Sequence, residues 1–170
     1  MAGQLVQVAT NTVTSAVASV TLTGIDSDDV YMVTAVGIET ATDNVYCKAR
    51  VTKSGSADTT SNYDLAYKLL RDDTTFSNNS QTNGTDAYIT NNLGTSTSEF
   101  GNFIMYLFNF NSSSEYSFAT VETTDLRYDV KLMGRQGGFV HTEASASDGI
   151  QFLMNTGNIA SGTFTLYKVV

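Results

Sequence analysis

An antiparallel β-sandwich, of the jelly-roll kind, is the fold class this sequence predicts. Apolar and polar side chains alternate with a period of two through most of the chain, and turn residues punctuate that alternation at short intervals. No stretch carries an apolar stripe at the 3.6-residue spacing of a helix. Many short strands with few helix signals leave a sandwich, a jelly roll or a barrel, the architectures that bury one face of each sheet and manage their edges.

Strands are expected near residues 4–8, 12–22, 29–38, 44–53, 63–70, 87–90, 102–110, 115–124, 126–134, 139–143, 150–154 and 163–169. The alternation is cleanest from Leu126 to Met133, where Leu126, Tyr128, Val130 and Leu132 would share one face and Arg127, Asp129 and Lys131 the other. Turns are expected at Thr23-Gly24, Lys53-Ser54-Gly55, Asn83-Gly84, Asn111 to Ser114, Gly137-Gly138 and Asp148-Gly149, because Gly, Asn and Asp reach positive φ at low cost. Gly134-Arg135-Gln136-Gly137-Gly138 has the look of a phosphate loop, but no helix pattern follows to supply the N-terminus that would hold a phosphate. A β turn or bulge is expected there. Residues 71–101 are the long polar exception and read as a pair of surface loops around a short strand, of a length that usually contacts something.

A chain of 170 residues, 41% of them hydrophobic, can bury one substantial core, and residues 1–170 are expected to form a single domain. Seventeen acidic residues against nine Lys and Arg give a net charge of −8, a surface that repels nucleic acid and anionic membranes. Neither is therefore expected as a partner. The longest apolar run, residues 103–108, is too short to span a bilayer as a helix, and the first residues carry no basic segment followed by an apolar one, so no signal peptide is expected. The absence of Trp weakens a sugar-binding reading, since Trp is the best flat apolar platform for a sugar ring, although Tyr can substitute.

Catalytic chemistry finds little support. His141 is the only histidine, so any Ser-His-Asp or Cys-His arrangement would have to be built on it; no nucleophile elbow accompanies it, and it reads as a strand-surface or rim residue. One Cys and one His do not supply the usual nitrogen and sulfur ligands of zinc. Asp26, Asp28 and Asp29 crowd one turn and Asp72-Asp73 form a second pair, with oxygen chemistry suited to calcium, but neither has the glycine and closing glutamate of an EF-hand. Glu39, Glu99, Glu115, Glu122 and Glu143 stand in no context that marks a paired-carboxylate glycosidase. The expectation is a non-enzyme with no catalytic residue, cofactor or metal. Cys47 alternates with Val45, Ala49 and Val51 and is expected to be a buried structural thiol.

Two segments, Val30 to Ile38 and Phe103 to Phe110, are apolar on both faces. In Phe103 to Phe108 one set of alternate side chains can fill a core, which leaves Ile104, Tyr106 and Phe108 to be covered by something else: a loop, a sheet junction or another subunit. Near the end of the chain, Asn158-Ile159-Ala160-Ser161-Gly162 followed by Thr163-Phe164-Thr165-Leu166-Tyr167 resembles the closing hairpin of β-rich virion structural proteins of tailed, marine podovirus-like bacteriophages. It departs from that pattern at Lys168, where those proteins usually carry glycine. The resemblance implies a virion location and a capsid decoration or cement protein that binds its own copies and capsid or tail subunits of the same particle; a homotrimer, which would bury Ile104, Tyr106 and Phe108, is the favoured self-assembly. A tail or fibre component with a sugar-binding role in host recognition is the alternative it implies.

Overall fold

The period-two pattern resolves into thirteen β-strands, and none of the described residues is helical. The structure is a computed structural model that describes residues 3–170. In chain order the strands are β1 (Leu5–Val13), β2 (Ser19–Thr23), β3 (Tyr31–Thr40), β4 (Cys47–Lys53), β5 (Ser56–Ala57), β6 (Tyr63–Arg71), β7 (Ser77–Gly84), β8 (Ala87–Tyr88), β9 (Gly101–Phe108), β10 (Ser117–Leu126), β11 (Leu132–His141), β12 (Gly149–Met154) and β13 (Ile159–Val169). They form an eight-stranded antiparallel sheet in the order β1-β13-β3-β9-β10-β11-β6-β7 and a five-stranded one that runs β2-β12-β4-β5, with β8 also paired to β4. The two sheets pack as a sandwich, the expected fold class.

Alternate residues of both sheets meet in one core. Its centre is aromatic: the Phe152 ring lies 5.2 Å from that of Phe103 and 5.4 Å from that of Phe164, the tilted and offset contacts that ring quadrupoles favour. Tyr63 is fully buried and its hydroxyl is satisfied twice, accepting from Val51 N at 3.0 Å and donating to the Asp58 carbonyl at 2.8 Å. Cys47 lies inside with Ala49 and Val51, as expected, and burial pushes its thiol up to about 12.

Several expectations fail. Leu126 to Met133 is a chain reversal: Leu126 pairs with Leu132, Arg127 N donates to Lys131 O at 3.0 Å, and Val130 N donates to Arg127 O at 2.8 Å. Val130 takes a positive φ of 61° at the tip, and Asp129 draws in Arg127 at 2.8 Å and Lys131 at 3.6 Å. Residues 12–22 are interrupted after Val13, where the chain crosses from one sheet to the other. The stretches expected at 126–134 and 139–143 belong instead to one turn and one continuous strand, β11, which runs straight through Gly137-Gly138. A Cβ on Gly137 would collide with the Ala66 carbonyl and one on Gly138 with the Ala119 carbonyl, so these glycines admit close neighbours rather than turn the chain.

The 71–101 segment is also more structured than two loops. Its first part forms β7, a strand of purely polar sequence and glycine that pairs with β6 at the edge of the large sheet. Its second part turns inward, with Ile89, Thr90 and Leu93 fully buried.

Candidate functional site

The large sheet turns one face to the core and the other to solvent, and antiparallel register lines up the outward side chains in rows across it. Phe108, Phe118 and Val140 form one row across β9, β10 and β11. Met32, Tyr106, Thr120, Gly138 and Ala66 form the next. Thr34, Ile104, Glu122, Gln136 and Lys68 form the third. On β9 the inward residues Phe103, Met105 and Leu107 are buried, whereas Ile104 is 47% and Tyr106 41% exposed. The three side chains singled out from sequence, Ile104, Tyr106 and Phe108, therefore share the outer face, with Phe108 half-buried.

Sequence reasoning missed the rest of this patch. Phe118, 45% exposed, is the Cα partner of Phe108, and Val36 and Leu70 extend the apolar surface along the sheet. On β10 the outward set after Phe118 is Thr120, Glu122 and Thr124, which reads as an ordinary wet face and hides the one aromatic in it. Small residues hollow the surface: with only Gly138 and Ala66 beside Thr120, a shallow depression of about 530 Å³ opens between Phe118, Val140 and Ser80. A second, of about 540 Å³, lies between Val36, Ile104, Asn102, Glu122, Gln136 and Leu70.

The inner face of the same sheet carries charge at both ends. At one end Asp125 is buried and accepts from Asn91 through both its backbone N and side-chain Nδ2, each at 2.9 Å, while its other oxygen has no partner among the described residues. Burial pushes this carboxyl up to about 6, against the pull of those hydrogen bonds and of the nearby Arg135. Arg135, also buried, donates to the Tyr88 carbonyl at 2.8 Å and stacks on the Tyr67 ring at 3.8 Å.

At the other end of β11, His141 is fully buried rather than at a rim, because it shares the inward phase of Phe139. Its Nε2 stands 3.4 Å from Asp58 Oδ2, and its ring lies 4.9 Å from that of Tyr63. Lys53 Nζ sits between two carboxylates, 2.7 Å from Asp58 and 2.6 Å from Glu143. Burial opposes the ionised Asp58, but Lys53 and two hydrogen bonds from Thr60 outweigh it and hold the carboxyl well below its usual range. Burial likewise holds the His141 imidazole below its usual value, so it is neutral near pH 7.

The acidic turn at Asp26 to Asp29 is occupied by the protein itself. Lys168 lies 2.8 Å from Asp29 and 3.7 Å from Asp26, and Tyr31 Oη donates to Asp26 Oδ1 at 2.9 Å. The residue that departs from the C-terminal pattern thus clamps this turn. Asp73 is paired in the same way by Arg71 at 2.6 Å and Lys131 at 3.6 Å. Comparisons with family models, with curated proteins and with solved structures find no match to this chain.

Proposed function

We propose that this chain is a structural protein of a virus particle, a capsid decoration or cement subunit that works by docking the outer face of its large sheet on copies of itself and on capsid proteins. The observation that carries the reading is the apolar patch of Ile104, Tyr106, Phe108 and Phe118 on a face that the core does not need. Full burial of such a side chain from water is worth about 1.5–3 kcal/mol, and with roughly half of each still exposed, covering them would contribute about half of that apiece, an incentive for association. The net charge of −8 keeps unassembled copies apart in solution and soluble until that face is matched. The virion setting rests on the C-terminal resemblance, whose residues from Ile159 onward lie in strand β13. A homotrimer is the favoured self-assembly.

A tail or fibre component that binds host sugars is the second reading. It draws on the depression beside Ile104, where the Glu122 carboxylate can accept from sugar hydroxyls and the Asn102 and Gln136 amides can donate to or accept from them. Tyr106→Asp tests the first reading directly: the variant is expected to give an unchanged β circular dichroism spectrum but a monomer by sedimentation velocity that no longer docks on particles. Assembly equal to that of the parent chain overturns the proposed interface, and glycan-array binding lost in Gln136→Ala would favour the second reading.

A further inference from the structure

The Lys53 cluster differs from the acidic turns in one respect: it contains a buried imidazole that makes no hydrogen bond among the described residues, although Asp58 Oδ2 stands 3.4 Å from its Nε2. Neither Nδ1 nor Nε2 of His141 makes a hydrogen bond to any described residue, an expensive state for a fully buried ring. We infer that Asp58, His141 and Glu143 form a binding site for a divalent transition-metal ion, with Zn²⁺ the best chemical match.

One ligand atom from each residue can be chosen so that all lie within 4.8 Å of one another. Ligands around a tetrahedral Zn²⁺ stand roughly 3.5 Å apart, given bonds of about 2.0–2.2 Å. The closure required can be taken up by Glu143, whose side chain is 41% exposed.

The carboxylates are oriented for such a role. Asp58 Oδ1 accepts from Thr60 N at 2.9 Å and from Thr60 Oγ1, which leaves Oδ2 facing Lys53 and His141. Glu143 Oε2 accepts from Asn62 Nδ2 at 3.0 Å, which leaves Oε1 facing the same point. Asn62 is tied in turn to the backbone between His141 and Glu143, since its carbonyl accepts from Thr142 N at 2.7 Å. Each ligand oxygen is thus fixed by a hydrogen bond to its twin, the arrangement that orients carboxylates toward a metal.

A monovalent cation already marks the place. The Lys53 ammonium bridges the two inward oxygens, and its side chain is 30% exposed, so it can swing to water when a stronger cation arrives. A divalent ion would neutralise both carboxylates and give His141 its missing partner. One imidazole nitrogen and two carboxylate oxygens favour Zn²⁺ over Ca²⁺ or Mg²⁺, which prefer oxygen-only shells, and leave a fourth position for water. The ion would join the loop after β5 of the small sheet to the end of β11 of the large one.

The test is calorimetric titration of the chelator-stripped full chain with ZnCl₂, with Co²⁺ absorption reporting the ligand geometry. We expect one ion per chain, affinity reduced at least tenfold in Glu143→Gln, and affinity increased several-fold in Lys53→Met, which removes the competing ammonium. Because Glu143 is partly exposed, Glu143→Gln is expected to keep the parent's circular dichroism spectrum. Absence of binding to both the parent chain and Lys53→Met, or undiminished binding to Glu143→Gln, overturns the assignment.

Discussion

The two faces of the eight-stranded sheet invert the usual distribution of side chains. Its inner face, which should be wholly apolar, encloses Asp125, Arg135 and His141, while its outer face, which should be wet, displays Ile104, Tyr106 and Phe118. The small sheet follows the ordinary rule: the outward Lys48 and Arg50 of β4 pair with Asp86 at 2.6 and 3.3 Å. Burying charge in the core and leaving large apolar groups outside both cost stability in an isolated chain. The difference between the sheets therefore points to demands on the large one beyond folding: the assembly proposed above would use the outer face, and the inner face holds a polar constellation.

Adjacent residues of β9 give the sharpest way to break that comparison. Met105→Ala removes a fully buried side chain and is expected to lower stability by about 2–5 kcal/mol in chemical denaturation. Tyr106→Asp, one residue away, is expected to shift it by no more than about 0.5–1 kcal/mol while abolishing association. Equal destabilisation by the two would mean that both faces of β9 serve the chain's own core.

Acid sharpens the inner half of the comparison. Asp125 titrates at about 6 in the folded protein against an ordinary 3.8, so the native state holds the extra proton between those values. Its contribution to stability is fully present below pH 3.8 and is lost as the pH rises through about 6. Asp125→Asn mimics the protonated form, and its stability relative to the parent is expected to improve by about 2–3 kcal/mol between pH 4 and pH 7. A pH-independent difference would show that Asp125 ionises normally.

The smallest effect is expected on the other outer face. Lys48→Met leaves Asp86 with Arg50 as partner and should cost no more than about 1 kcal/mol, with association unchanged by sedimentation. Loss of association in this variant would move the interface to the small sheet.

Alternation made most of the sandwich legible, because β9 and β10 each bury one phase, and it placed Ile104, Tyr106 and Phe108 together on the unburied side of β9. It failed where phase alone is ambiguous. Leu126 and Leu132 pair across a reversal, so the residues between them preserve an alternating appearance with no strand beneath it. The polar β7 owes its existence to the ladder offered by β6 rather than to any propensity of Ser77 to Gly84. His141 could have been placed inside from Phe139, two residues earlier on the same face. Lys53, Asp58 and Glu143, by contrast, meet only because β4, β5 and β11 end at the same edge of the molecule, and no local pattern carries that.

Strand β13 lies between β1 and β3, so the last of these thirteen strands is inserted between the first and the third. Until residues 159–169 have left the ribosome, β1 has no neighbour in its sheet and β3 keeps an open backbone edge beside the apolar β9. Folding is then committed late, through pairings such as Leu5 with Val169 that close almost the whole chain into one loop, and this predicts a slow folding phase of the millisecond-to-second kind. Nascent chains stalled short of β13 would expose two unpaired edges and aggregate, which makes this strand the lock that closes the large sheet.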